Sequence, residues 1–308
     1  MTVAIIGTGL IGGSFALALK SHSIADRIIG VDSNEVHLQR ARTIGLIDEA
    51  MELKRAIAQA DLIFLAIPVD AIIALLPVIL NHVTKQIVAD AGSTKKSILD
   101  ALINHPGRGR FVATHPMWGT ENSGPDAAIE KAFSGKAAVI CDKHQTDSDA
   151  LKTVENIYQR VGMKLIYMDA DDHDTHVAYV SHISHISSFA LANTVLEKEK
   201  EEDAIFNLAS AGFESTVRLA KSNPRTWASI FMQNRENILD VLSEHISQLR
   251  KFKSCLEKEN VDYLLELMEN ANSIKRILHV ETEKRKAEKG PVQQIKIIQE
   301  QKRFNHIV

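Results

Sequence analysis

The chain has only two cysteines, Cys141 and Cys255, in 308 residues. That excludes a disulfide framework and any CxxC zinc or redox motif, and both thiols read as inert packing residues. Long apolar runs are also missing, none approaching the roughly 18 residues that a membrane-spanning helix needs. The first residues form a strand-like V-A-I-I instead of a basic segment with a cleavage site, so a cytoplasmic location is expected. Charge of one sign is not in excess. The 36 Lys and Arg stand against 39 Asp and Glu, interspersed, for a formal net charge of -3, which argues against nucleic acid or an anionic membrane as partner and leaves a small-molecule substrate open. Seven prolines, fifteen glycines and no internal repeat leave little room for disorder. The exception is the charged stretch E-T-E-K-R-K-A-E-K-G-P near the end, which is expected to fray.

What remains is an ordinary globular composition, 45% hydrophobic and 24% charged, long enough for two domains. As far as about Met168, short β-branched runs alternate with stretches of helical period: V-A-I-I (3–6), R-I-I-G-V (27–31), D-L-I-F-L-A-I (61–67), Q-I-V-A (86–89), F-V-A-T (111–114), A-A-V-I (137–140) and K-L-I-Y (164–167). Strands apolar on both faces and separated by helices belong in a mostly parallel sheet covered on both sides. Beyond about Asp171 only helical periods occur. Asn223 and Pro224 read as the cap and first residue of one helix whose apolar stripe runs from Trp227 to Leu249, with Trp227 in the core. The run E-K-E-K-E-E-D (197–203) reads as a solvated face. The expected class is α/β: an N-terminal Rossmann-type doubly wound parallel sheet (1–170), then an all-α C-terminal domain (171–280) and a charged tail (281–308). Long amphipathic helices would expose more apolar surface than one layer covers, so a homodimer is expected.

G-T-G-L-I-G-G-S (7–14) follows a predicted strand and opens a predicted helix, and that placement makes the glycine spacing informative. Gly7 suits the tight turn, Gly9 lets backbone approach a pyrophosphate, and Gly12 allows close packing of helix on strand. Leu10 and Ile11 belong to the same turn, and the helix N-terminus favours an anion. Asp32, twenty positions after Gly12, ends the second strand, where a carboxylate would accept hydrogen bonds from ribose hydroxyls and repel a 2′-phosphate. The expected cofactor is therefore NAD and not NADP. The same carboxylate can also close an Asx turn with Ser33 and Asn34.

In an open parallel sheet, ligands bind beyond the carboxyl ends of the strands. His115 follows the F-V-A-T run and Ser93 ends another strand in D-A-G-S-T-K-K, so the two form a usable proton-handling pair at one edge. No G-x-S-x-G elbow supports acyl transfer. His173, His176, His182 and His185 invite a metal reading. At about 100° per residue one helix puts His182 and His185 opposite the first pair, and no Cys or acidic pattern completes a set, so no metal is expected and His182 reads as a core histidine.

G-T-G-L-I-G-G-S, D-A-G-S-T-K, T-H-P-M-W-G-T-E-N-S-G (114–124), H-x8-H-I-S-H and A-G-F-E-S-T-V-R-L-A-K-S-N-P, in this order over roughly residues 1–280, resemble the prephenate dehydrogenase family, which includes arogenate dehydrogenases. The resemblance implies NAD-dependent oxidative decarboxylation of prephenate to 4-hydroxyphenylpyruvate in tyrosine biosynthesis. His115 would take the C4 hydroxyl proton as hydride leaves, with Ser93 orienting it. Glu121 would gate the pocket mouth, often paired with an arginine, and Thr120 and His185 would line the substrate pocket. Arg218 would bind a prephenate carboxylate bidentately, as a planar guanidinium can. Ser215 departs from the acidic residue some members carry there. The family also pairs through its helical region. Alternatives are arogenate as substrate, a β-hydroxyacid or imine-reductase type of dehydrogenase relying on Lys221, and an NAD-sensing protein without turnover.

Overall fold

The computed structural model describes residues 1–200 and 205–277, so the charged tail and part of the 197–203 run lie outside the described residues. Its compact units are Met1–Leu242 and the segment from Ser243.

The first unit is built on eight strands: β1 (Thr2–Ile6), β2 (Arg27–Val31), β3 (Glu49–Ala50), β4 (Leu62–Leu65), β5 (Ile87–Asp90), β6 (Phe111–Pro116), β7 (Ala137–Cys141) and β8 (Lys164–Met168). They lie in the order β3-β2-β1-β4-β5-β6-β7-β8. Only the β6–β7 pairing is antiparallel. Seven strands stand where the β-branched runs place them. The two-residue β3 has no apolar run to announce it, and His115 falls inside β6 instead of just beyond it.

Alternation along β1 supplies both faces of the sheet. Val3 and Ile5 join one core with Phe15, Phe64 and Tyr158, while Ala4 and Ile6 join another with Ile72, Leu76 and Phe111. This two-sided burial is what a parallel sheet between helical layers demands. The helices of the sheet half are α1 (Leu10–Ser21), α2 (Glu35–Thr43), α3 (Leu53–Gln59), α4 (Val69–Leu80), α5 (Lys96–Asp100) and α6 (Ser148–Arg160). Because β2 and β4 flank β1 on opposite sides, the chain leaves β1 at the point where the winding reverses, which opens a crevice at the strand ends.

The helical part of this unit holds α7 (Ala170–Val177), a π-helical turn (Ala178–His182), α8 (Ile183–Glu199), α9 (Ala211–Val217) and α10 (Pro224–Gln233), followed by α11 (Arg235–Glu257). Asn223 caps α10, its Oδ1 accepting from the N–H groups of Arg225 and Thr226. The single long helix expected from that cap is two, because Asn234 interrupts it. Nor does one apolar stripe run to Leu249, which is 56% exposed. The second unit carries α12 (Val261–Asn272), capped by Asn260. Cys141 and Cys255 are free and buried.

Candidate active site

The turn after β1 needs its glycines for stated reasons. Gly7 has φ +94°, and a Cβ there would sit 2.3 Å from the Ala66 carbonyl oxygen. A Cβ on Gly12 would sit 2.0 Å from the Gly7 carbonyl oxygen, so only glycine lets α1 start this close to the strand. At Gly9, which caps α1, a Cβ would meet nothing within 4 Å. Its backbone is bare toward a cavity of about 720 Å³. Asp32 stands at the same rim, with Oδ2 accepting from Thr8 N–H at 2.8 Å and Thr8 Oγ1 at 3.0 Å, and Oδ1 from Asn34 N–H at 2.9 Å. This donor set, glycine-lined backbone at a helix N-terminus beside a fixed carboxylate, fits a dinucleotide.

The cavity continues past the ends of β4, β5 and β6 to the helical segment. Gly7, Gly9, Leu10, Ile11 and Asp32 line one end. Toward the other stand Ser93, His115, Thr120, Glu121, His185 and Arg218. Gly12 alone of the expected site residues lies outside the lining, under the helix start.

His115 is held by neighbours that the sequence did not announce. Its Nδ1 lies 2.9 Å from His173 Nε2, and His173 Nδ1 lies 2.7 Å from Asp174 Oδ1. The carboxylate also accepts the N–H of Lys95 at 2.8 Å and of Lys96 at 3.0 Å. An acceptor-only carboxylate at one end dictates the protons along the row: His173 carries its proton on Nδ1 and His115 donates from Nδ1, which leaves His115 Nε2 as a lone pair. Burial holds the His115 imidazole well below the ordinary histidine value, reinforced by His173 and by the Lys95 ammonium. Lys95 itself is fully buried against Asp90, whose Oδ1 accepts from the N–H of Thr114, the residue before His115. Ser93 lines the cavity, but the bond that orients His115 comes from His173.

The helical wall adds to one expectation and corrects another. His182 is the buried histidine expected, 1% exposed, and from the end of a π-helical turn it also borders the cavity with His185. Asn234 Nδ2 donates to His182 Nδ1 at 3.1 Å and to the Asp174 carbonyl at 2.6 Å, so the His182 proton is on Nε2. Burial pushes His182 down to about 4. Trp227 is no core residue: it lines the cavity and stacks on His185 at 3.4 Å between ring centroids. His185 Nδ1 lies 3.0 Å from the Ser181 carbonyl, and burial lowers its pKa.

Arg218, at the turn after α9, donates from Nη1 to Glu121 Oε2 at 2.7 Å and is half exposed. Glu121 is held below the usual carboxylate range by its own backbone N–H and by Arg218. Lys221 is paired outside the cavity with Glu214 at 3.3 Å. Among the described residues, the three-ligand grouping suited to a cation is Asp142, His144 and Asp169, which includes none of the four histidines.

A nucleotide-binding α/β half and a helical half, with a histidine and an arginine on one cavity, define a dehydrogenase of the two-part kind. The family models specify which. The prephenate dehydrogenase nucleotide-binding domain matches residues 15–167 and the prephenate dehydrogenase dimerization domain matches residues 169–270. The chain is 31% identical over 270 residues to the cyclohexadienyl dehydrogenase of Zymomonas mobilis, covering 86% of this chain and 91% of that one. To the prephenate dehydrogenase of Bacillus subtilis it is 29% identical over 274 residues, covering 88% and 74%. The crystal structure of the A. aeolicus prephenate dehydrogenase in complex with hydroxyphenyl propionate and NAD+ superposes with a TM-score of 0.79 at 30% identity, covering 90% of this chain and 97% of that one. The chain belongs to the prephenate dehydrogenase family.

Proposed function

We propose that the protein oxidatively decarboxylates prephenate to 4-hydroxyphenylpyruvate with NAD+ as hydride acceptor. The observation that carries this reading is the His115–His173–Asp174 row of bonds, which turns His115 Nε2 into the acceptor, on the same cavity as the glycine turn and Arg218. When bound, NAD+ supplies the acceptor for hydride leaving C4. The turn at Gly7–Gly12 would hold its pyrophosphate and Asp32 its ribose. Arg40, the first arginine after Asp32, is occupied by Asp126 at 2.8 and 2.5 Å, which leaves it poorly placed to welcome a 2′-phosphate.

His115 Nε2 takes the C4 hydroxyl proton. As hydride leaves C4 the C–O bond gains double-bond character. The bond from the ring to its carboxylate then breaks, carbon dioxide departs, and the bond's electrons aromatise the ring and return to the oxygen, which recovers the proton from His115. Aromatisation drives that loss, so the residues need only orient the substrate and accept one proton, and a neutral imidazole is ready to do so. Arg218 would anchor a substrate carboxylate, exchanging Glu121 for it, while Thr120, Ser93, His182 and His185 line the ring pocket. Steady-state absorbance at neutral pH should show NADH formed from prephenate and NAD+. Turnover of arogenate alone would shift the substrate assignment to the amino acid, and NAD+ affinity without NADH from either would overturn the enzyme reading.

The helical region is also proposed to join two copies of the chain. Tyr263, Leu265 and Met268 on α12 are all at least 40% exposed, more apolar surface than a solitary helix leaves in water, and the matching family model is named for dimerization. Light scattering at micromolar protein should return twice the chain mass; a monomer would refute it.

A further inference from the structure

Asp174 and His173 do not line the cavity, and among the described residues their buried side chains bond only each other, His115 and the backbone N–H groups of Lys95 and Lys96. His173 is fully buried and Asp174 is 2% exposed. A buried imidazole and carboxylate are costly to keep in place of apolar packing. We infer that Asp174, acting through His173, is the positioning group that sets the tautomer of His115 and stabilises the imidazolium it becomes. This rests on His115 being the proton acceptor.

The geometry supports a one-way chain. Asp174 Oδ1 accepts from both Lys95 N–H and His173 Nδ1, and Oδ2 from Lys96 N–H. Three donors converge on it, as a charged acceptor requires. His173 Nε2 can then only accept, so His115 must present Nδ1–H to it and keep Nε2 free for the hydroxyl proton. Without the anion, His115 could as well carry its proton on Nε2, and that tautomer cannot accept one. Asp174 is neither consumed nor protonated in the cycle. It holds the ring and offers negative charge two bonds from the site where positive charge develops.

Asp174 also ties the strand-end loop to the helical segment. Besides its two bonds to the loop N–H groups, its own carbonyl accepts from Asn234, and Thr94 Oγ1 donates to Gln233 Oε1 at 2.9 Å. A purely structural role predicts loss of folding or of cofactor affinity, whereas the positioning role predicts loss of turnover with both retained. The variants are His173→Phe, which keeps the ring volume and removes both nitrogens, and His173→Gln, whose amide can donate to Asp174 and accept from His115.

Each is compared with wild type, Asp174→Asn and the His173→Phe/Asp174→Asn double variant for thermal midpoint, NAD+ affinity, turnover and KM. His173→Phe should lower turnover roughly 100-fold while KM and NAD+ affinity stay within about threefold. His173→Gln should recover most of that loss. Asp174→Asn should lower turnover in the wild-type background but add nothing on top of His173→Phe, because its effect passes through the missing ring. Near-normal turnover in His173→Phe, or a further loss on adding Asp174→Asn to it, would overturn the inference. If His173→Phe does not fold, the His173→Gln pair decides: a turnover loss as large as that of Asp174→Asn would count against the chain of bonds. His115→Asn assayed alongside keeps the two readings apart, since normal turnover there removes the proton acceptor itself, while a collapse there with normal His173→Phe removes only the positioning group.

Discussion

His115 and Arg218 line one cavity but reach it by different means. His115 stands on β6, where the strand register, the Asp90–Thr114 bond and the buried Asp90–Lys95 pair leave its backbone no freedom. Arg218 sits at the short turn after α9, half exposed and tethered by its ion pair to Glu121. The sheet half therefore offers a preorganised group, suited to meeting charge as it develops. The helical half offers a group that exchanges one carboxylate for another, suited to capturing substrate.

That contrast is sharpest in kinetics. For His115→Asn, the largest effect expected, turnover should fall by roughly 10²- to 10⁴-fold, the usual worth of a general base, with KM for prephenate little changed. Arg218→Ala should instead raise KM by about 10- to 100-fold, in line with about 1.5–3 kcal/mol for a hydrogen bond to a charged group, with turnover less affected. If both variants lost turnover alone, or both raised KM alone, the division of labour between the two halves would be wrong.

The same contrast governs what the amino-acid order reveals. Gly7, Gly9, Gly12, Asp32 and His115 are tied to strand ends, and in a parallel sheet a strand end is already a position in space. Reading β-branched runs thus locates them before any side chain is placed. The helical half has no such shortcut. The 3.6-residue period assumes one regular helix from His173 to His185, and a π-helical turn at Ala178–His182, which no local residue pattern announces, interrupts it. Trp227 has the spacing of a core residue, and only its stacking on His185 across two helices shows otherwise. In the sequence His173 is only one of four histidines and Asp174 carries no signal at all, since the partnership of His173 with His115, 58 positions away, is set by packing alone. Arg218 and Glu121 were found through the resemblance, and their 2.7 Å contact spans 97 positions that no periodicity bridges.

The smallest expected effect concerns stability below neutral pH and centres on a buried histidine of the helical half. His182 is 1% exposed and burial lowers it to about 4 from 6.5. In the unfolded chain it protonates near 6.5, so between pH 6.5 and about 4 the unfolded state binds a proton that the folded state refuses. Its neutral burial is harmless above 6.5, and stability is lost progressively as pH falls through that window. At about 1.4 kcal/mol per pH unit the loss approaches about 3 kcal/mol near pH 4. His173 and His115, also lowered by burial, add in the same direction. Carboxylates contribute too as the pH approaches 4, so the informative quantity is a difference between proteins. His182→Gln keeps an acceptor for Asn234 without a titrating ring. Its denaturant midpoint, followed from pH 7 to 4, should decline less steeply than that of wild type. Parallel curves would mean that His182 titrates normally and that the helical wall is wetter than its packing implies.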